Sequence, residues 1–148
     1  MANISTEHFN LTEKRLQSLA KHHGAPALTL YMPLQTPTAK SSAKEENLIR
    51  LKNVLRRAEA AGEAYRKGHP EIGEGEIDSL LAPLREAVSS GERFWDPQGE
   101  SVALFLAPGR EAVVPLPTPV TEEAVVDDRF HLKQLFAAWP FLARFYLL

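Results

Sequence analysis

The middle of the chain carries a helix-spaced apolar pattern that a glycine-rich break divides in two, and this feature limits the fold most strongly. From about Ala43 to Tyr65, apolar side chains recur at steps of three and four residues and form one stripe: Leu48, Leu51, Val54, Leu55 and Ala58. A second such pattern covers Ile77–Val88. The segment Gly68–Glu76 between them holds three glycines and a proline, residues that interrupt helices. The sequence therefore predicts two antiparallel helices joined by a mobile loop.

Segments of strand character lie on both sides of this helical pair. Ala27–Met32 is short, apolar and bounded by prolines, which indicates a buried strand. After Ser101 the pattern becomes that of a meander of three strands, Val102–Leu106, Ala112–Leu116 and Glu123–Val126. Pro115 cannot donate a hydrogen bond to a sheet, so we expect it at an edge or a bulge. With a first helix before Gly24 and a short helix near Phe130–Phe136, this order predicts an α+β fold.

The composition excludes several classes of protein. The chain has 148 residues, the size of one domain with its own core. It has no cysteine, which excludes disulfides, thiolate zinc sites and cysteine nucleophiles. No apolar run approaches the roughly 18 to 20 residues that span a bilayer, and the first residues lack the pattern of a signal peptide. We therefore expect a cytoplasmic protein that is not embedded in a membrane.

Basic residues are concentrated in one segment of a chain whose net charge is -2. Residues 40–67 carry eight basic groups against four acidic ones. Within the long helix, Glu46, Arg50, Asn53 and Arg57 follow steps of four, three and four residues, so they form one exposed row in which Glu46 and Arg50 are paired. Such a row fits a polyanionic partner, and it equally describes a solvated helix face held by ion pairs.

The histidines are the residues best suited to acid–base catalysis or metal binding. His131 lies four residues after Asp127 and three after Asp128, a spacing that allows a carboxylate–histidine pair. No nucleophile is marked nearby, and an Asp cap followed by a first-turn His is ordinary at a helix start, so we expect a structural role. His22 and His23 point to different sides of a helix end, where a cationic role is simpler than metal binding. We expect no metal, no cofactor and no catalysis in this chain.

Four stretches of the sequence carry a family resemblance: Leu28–Pro33, Leu51–Glu59, Ser101–Gly109 and Asp127–Lys133. In order and spacing they resemble the N-terminal domain of the bacterial relatives of archaeo-eukaryotic class 1 peptide chain release factors. The resemblance implies a small, mainly antiparallel sheet of about four strands, flanked by helices, with a helical hairpin projecting from it. It also implies later domains. We therefore expect residues 1–140 to form the release-factor-like domain and residues 141–148 to begin the next one.

Termination factors of that family read the stop codon with three motifs, and this chain departs from each. Gly68–Gly73 stands at the hairpin tip in place of their Asn-Ile-Lys-Ser loop, and His22–Pro26 stands in place of their Gly-Thr-Ser turn. Their Tyr-x-Cys-x-x-x-Phe motif keeps only its Phe, within a remnant formed by Asp127, Asp128, Phe130 and His131. We therefore do not expect stop-codon reading by this chain.

The resemblance and the basic segment together predict a non-catalytic adaptor that helps a release-factor-like protein engage the ribosome or structured RNA. The cations expected to contact phosphates are Lys44, Arg50, Arg56, Arg57, Arg66 and Lys67. The alternative is a structural or protein-interaction domain with no nucleic-acid role, whose hairpin binds a partner or the downstream domains of its own chain. Any catalysis would belong to those later domains. We expect the last strand, Phe145–Leu148, to be disordered or to pair with a sheet edge, including that of a second copy.

Overall fold

The computed structural model describes residues 6–8, 13–34, 43–90 and 100–138 of the chain. Its elements are, in chain order, β1 (Thr6–His8), α1 (Glu13–Lys21), β2 (Ala27–Pro33), α2 (Ala43–Gly68), α3 (Glu74–Ser90), β3 (Ser101–Ala107), β4 (Arg110–Leu116) and β5 (Glu123–Asp127). A short helix, α4, follows at residues 133–138. The predicted α+β fold is confirmed, and the elements from α1 onward follow the order that the sequence pattern indicates, while β1 was not predicted.

The described strands form one sheet in the order β1-β4-β3-β2-β5. Strands β2 to β5 pair antiparallel, and β1 adds a short parallel edge beside Glu111–Val113 of β4. Pro115 pairs with Val102 on its β3 side and lies beyond the residues that β1 covers. Within the described part of the chain, Pro115 thus lies at a local edge, where its missing N–H removes no bond to β1.

The sheet separates two layers of helix, and β2 shows how its side chains serve both. Leu28, Leu30 and Met32 point to one face and join the core formed with α2 and α3. Ala27 and Tyr31 point to the other face, where they meet α1 and α4. This alternation follows from the two-residue period of a strand. Because both faces are covered, the strand is apolar at nearly every position rather than at every second one.

The hairpin of α2 and α3 lies along one face of the sheet. Its buried apolar side chains are Leu51, Val54 and Ala58 of α2 and Ile77, Leu80, Leu81, Leu84 and Ala87 of α3. The two helices approach closely at Gly62, where a Cβ atom would lie 2.8 Å from Cγ2 of Ile77. A glycine is therefore required by packing at this point of a helix that otherwise favours larger residues.

The turn of the hairpin is shorter than the predicted loop Gly68–Glu76. α2 continues to Gly68, and α3 already begins at Glu74. The carboxylate of Glu76 accepts a hydrogen bond from the N–H of Gly73 at 2.8 Å, which satisfies a donor at the helix start as in a capping box. Ile72, inside the turn, is buried in the core of the hairpin. The connection is thus anchored at both ends.

The remaining predictions about fold fall partly outside the described residues. The expected final strand Phe145–Leu148 and the division of the chain at residue 140 both lie there, so neither is tested. Among the helices that the structure does describe, none has the length and apolar character needed to cross a bilayer.

Candidate functional site

The outward face of α2 carries three exposed cations, Lys52, Arg56 and Lys67. Because Leu51, Val54 and Ala58 point to the sheet, residues on the opposite side of the helix face solvent. Lys52 and Arg56 are one turn apart, and Lys67 lies three turns further along the same side. The described residues provide no ion pair or hydrogen bond to these three side chains. We call this surface the α2 outward face.

Three other cations of the predicted set are held by contacts within the chain. Nη1 of Arg50 donates to the carbonyl of Pro33 at 3.0 Å. Nε of Arg57 pairs with Glu122 at 3.2 Å, and Nη2 of Arg66 pairs with Glu63 at 2.7 Å. Arg50 and Arg57 thereby fasten α2 to the end of β2 and to the segment before β5. The side chain of Lys44, the sixth cation, lies outside the described residues.

Two acidic side chains of α2, Glu59 and Glu63, are also engaged in ion pairs, which limits the negative charge near the outward face. Glu59 pairs with Arg85 of α3 at 3.1 Å, and Arg85 also pairs with Asp78 at 3.0 Å. The hydrogen bond from Arg66 lowers the pKa of Glu63, so this carboxylate stays charged and paired. These are surface ion pairs that contribute little to stability. They do neutralise the α2 carboxylates nearest in sequence to Arg56 and Lys67.

The motif remnant is brought together where β5 ends. Oδ2 of Asp127 lies 2.9 Å from Nε2 of His131, and Oδ1 of Asp127 accepts the backbone N–H of Asp128 at 2.8 Å. The hydrogen bond from His131 is the main cause that lowers the pKa of Asp127. Asp128 pairs with its neighbour Arg129 at 3.3 Å. The predicted carboxylate–histidine pair is therefore formed, and it closes the turn between β5 and α4.

Two side chains of β2 hold the backbone of His131 in place. The hydroxyl of Tyr31 donates to the carbonyl of His131 at 2.6 Å, and the N–H of His131 donates to Oγ1 of Thr29 at 2.9 Å. Both β2 residues are fully buried, and burial raises the pKa of Tyr31, so its phenol keeps the proton that it donates. Because both hydroxyls bond the backbone of His131 rather than its imidazole, they fix the position of the turn.

Phe130, the aromatic retained from the third motif, is a core residue. It is 5% exposed, and its ring lies 5.3 Å from that of Phe105 and 4.6 Å from that of His22. Burial lowers the pKa of His22, and the charge of Arg110 lowers it further. The neutral form of His22 is thus favoured, contrary to the cationic role expected at the end of α1.

Some residues of these two features, the α2 outward face and the turn after β5, were not predicted from the sequence. Lys52 belongs to the α2 outward face, and its position four residues before Arg56 is the signal that identifies it. Thr29 and Tyr31 are polar residues in an otherwise apolar strand, which signals a need for hydrogen-bond partners without naming them. No group of three potential metal ligands occurs among the residues that the structure describes.

Comparison with known proteins leaves the chain without a family assignment. No protein-family model matches it, and neither does any curated protein. The resemblance to release-factor N-terminal domains therefore stays a hypothesis based on its four stretches of sequence.

Proposed function

We propose that this chain is a non-catalytic adaptor domain of a cytoplasmic, release-factor-like protein, and that it binds the ribosome or structured RNA through the α2 outward face. The observation that carries the proposal is the row of Lys52, Arg56 and Lys67, exposed on one side of a helix that is packed on the sheet. A polyanion can contact these cations without displacing an ion pair within the described residues.

The geometry of this row suits phosphates rather than bases. Lys52 and Lys67 are separated by about 22 Å along the helix axis, given the rise per residue of an α-helix. Tyr65, the aromatic residue of α2, is stacked on His69 with 3.9 Å between ring centroids. Base reading in RNA requires stacking aromatics and donors placed at base edges. Contact with phosphates requires only well-placed cations, and it provides affinity with little sequence preference.

The tip of the hairpin is a poor surface for RNA. Glu71, Glu74 and Glu76 lie at the turn and are all exposed. Their charges repel a phosphate backbone, so we place the RNA along the flank of the hairpin rather than at its end. This departs from the termination factors, whose hairpin tip takes part in decoding.

Sedimentation with purified bacterial ribosomes tests the proposal. The outward-face variant carries Lys52→Glu, Arg56→Glu and Lys67→Glu. A matched control carries Lys14→Glu, Lys21→Glu and Lys133→Glu, which change the net charge equally but lie exposed on α1 and α4, in the opposite layer. We expect the wild type and the control to sediment with ribosomes and the outward-face variant to stay in solution.

Two results would count against the proposal. Equal loss of binding by both variants would show that net charge, rather than this face, governs the association. Binding by the outward-face variant at the wild-type level would show that the α2 outward face does not bind the ribosome.

The second candidate function is binding of a protein partner without nucleic acid. It is favoured by Ile49, which is 58% exposed on the same side of α2, one turn before Lys52 and Asn53. An Ile49→Ser variant should then weaken a complex that survives nuclease treatment. Phe136→Ser is the control, because Phe136 is similarly exposed at 52% but lies on α4.

A further inference from the structure

The C-terminal end of α1 meets the sheet at a small cluster of side chains. The imidazole of His22 stacks on the ring of Phe130, with 4.6 Å between centroids and an angle of 29° between ring planes. Arg110 begins β4 and donates to the hydroxyl of Ser18 at 2.9 Å. Its guanidinium carbon lies 5.9 Å from the centre of the Phe130 ring. His22 and Arg110 therefore contact the same aromatic ring.

The imidazole of His22 is poorly placed to accept a proton. Its Nε2 atom is buried and makes no hydrogen bond within the part of the chain that the structure describes. In an imidazolium both ring nitrogens carry a proton, so Nε2 of the half-buried His22 would become a buried donor without an acceptor, which is unfavourable. Burial and the neighbouring guanidinium of Arg110 both lower the pKa of His22, and together they outweigh a backbone hydrogen bond with Gly24 that raises it.

The charged groups around His22 reinforce this preference. Arg110 faces it from β4, and His23 adjoins it in the chain. In the turn after β5, Asp128 has its carboxylate paired with Arg129 at 3.3 Å, while its carbonyl accepts the N–H of Gly24 at 2.9 Å. Among these groups, none supplies an unpaired anion to an imidazolium at His22.

We propose that His22 is a pH-sensitive contact that holds α1 on the sheet while neutral and loosens the helix when protonated. α1 has nine residues, too few for a stable helix by itself, and it is held through buried Leu16 and Leu19. Loss of the His22 contact therefore weakens the attachment of α1 at its C-terminal end, where the helix depends on few other contacts. Because the folded pKa lies below the ordinary value, the stabilisation is complete above about pH 6.5 and is lost as the pH falls toward the folded pKa.

Amide hydrogen exchange of the 148-residue chain at about pH 7.5 and about pH 5.5 measures this opening, after correction for intrinsic exchange. We expect the opening constant of α1 to rise several-fold at the lower pH, with a limit of about tenfold per pH unit for one proton. The amides of β3 serve as the internal reference. His22→Phe keeps an aromatic ring on Phe130 and removes the titration, so its α1 should not respond to pH. His23→Gln removes the adjacent exposed histidine and should behave as the wild type.

A pH response that persists in His22→Phe, or that disappears in His23→Gln, would overturn the proposal. If His22→Phe does not fold, an NMR titration of the His22 ring in the wild type decides the question. A midpoint below about 6.5 supports the proposal, and a midpoint at or above it contradicts the proposal.

Discussion

Buried polar side chains determine how the turn after β5 is held. Thr29 and Tyr31 lie on β2, about a hundred residues before His131 in the chain, and each satisfies one backbone group of that residue. The turn is thereby fixed to the sheet at one end by hydrogen bonds and at its side by the buried ring of Phe130. The Asp127–His131 pair then closes the exposed side of the same turn.

The bond from Tyr31 should be measurable in the free energy of unfolding. Tyr31→Phe removes the donor and leaves the His131 carbonyl without it, so we expect unfolding in urea to require about 1 kcal/mol less. Tyr65→Phe is the matched control, because Tyr65 contacts His69 by ring stacking and by its backbone carbonyl, and the substitution removes neither contact. The control should change the free energy of unfolding by no more than about 0.5 kcal/mol. Equal effects of the two substitutions would contradict the role given to Tyr31.

The Asp127–His131 pair predicts that wild type and a variant without the Asp127 carboxylate differ in stability by an amount that depends on pH. The folded pKa of Asp127 lies below its ordinary value, so its contribution is present above about pH 4 and is lost as the pH falls through the folded pKa. Wild type should therefore exceed Asp127→Asn in urea midpoint at neutral pH, and the two should converge in strong acid. Asp128→Asn, whose partner is the exposed Arg129, should show a smaller difference. A gap between wild type and Asp127→Asn that does not change with pH would refute this explanation.

At the scale of helices and strands, the sequence pattern predicts the long elements well and the short ones poorly. The apolar stripe of α2 and the apolar run of β3 are long enough to show their period. β1 was not predicted, because three residues cannot show an alternation. The short helix expected at Phe130–Phe136 begins only at residue 133, since His131 is bonded to β2 and Leu132 is buried in the core.

The close approach of α2 and α3 predicts that replacing a helical glycine by alanine destabilises the protein, although alanine has the higher helix propensity. Gly62→Ala should destabilise the protein by about 1–3 kcal/mol, because the new methyl group meets Cγ2 of Ile77 at 2.8 Å. Gly75→Ala, near the start of α3, meets nothing within 4 Å and should be neutral or stabilising by up to about 1 kcal/mol. Thermal unfolding of the two variants distinguishes the effects. A stabilised Gly62→Ala would contradict the observed helix packing.

At the scale of the whole molecule, the sheet separates the surface proposed to bind RNA from the helices on its other face. The hairpin presents the α2 outward face on one side, while α1 and α4 cover the other face of the sheet. A count of charge along the sequence located the basic segment, yet it could not show that Arg50 and Arg57 bond to Pro33 and Glu122. Those partners come from distant segments. The pairing of Arg66 with Glu63 was not predicted either, although their spacing of three residues is one that allows an ion pair on a helix.

The salt dependence of ribosome binding tests the central claim most directly. Each phosphate neutralised by a cation adds somewhat under one to the slope of log affinity against log salt. Affinity falls as salt rises, and this fall should be steeper for wild type than for the Lys52→Glu, Arg56→Glu, Lys67→Glu variant. If all three cations contact phosphate, the magnitudes of the two slopes should differ by about 2–3. The control with Lys14→Glu, Lys21→Glu and Lys133→Glu should keep the wild-type slope. The same slope for wild type and both variants would contradict RNA binding through the α2 outward face.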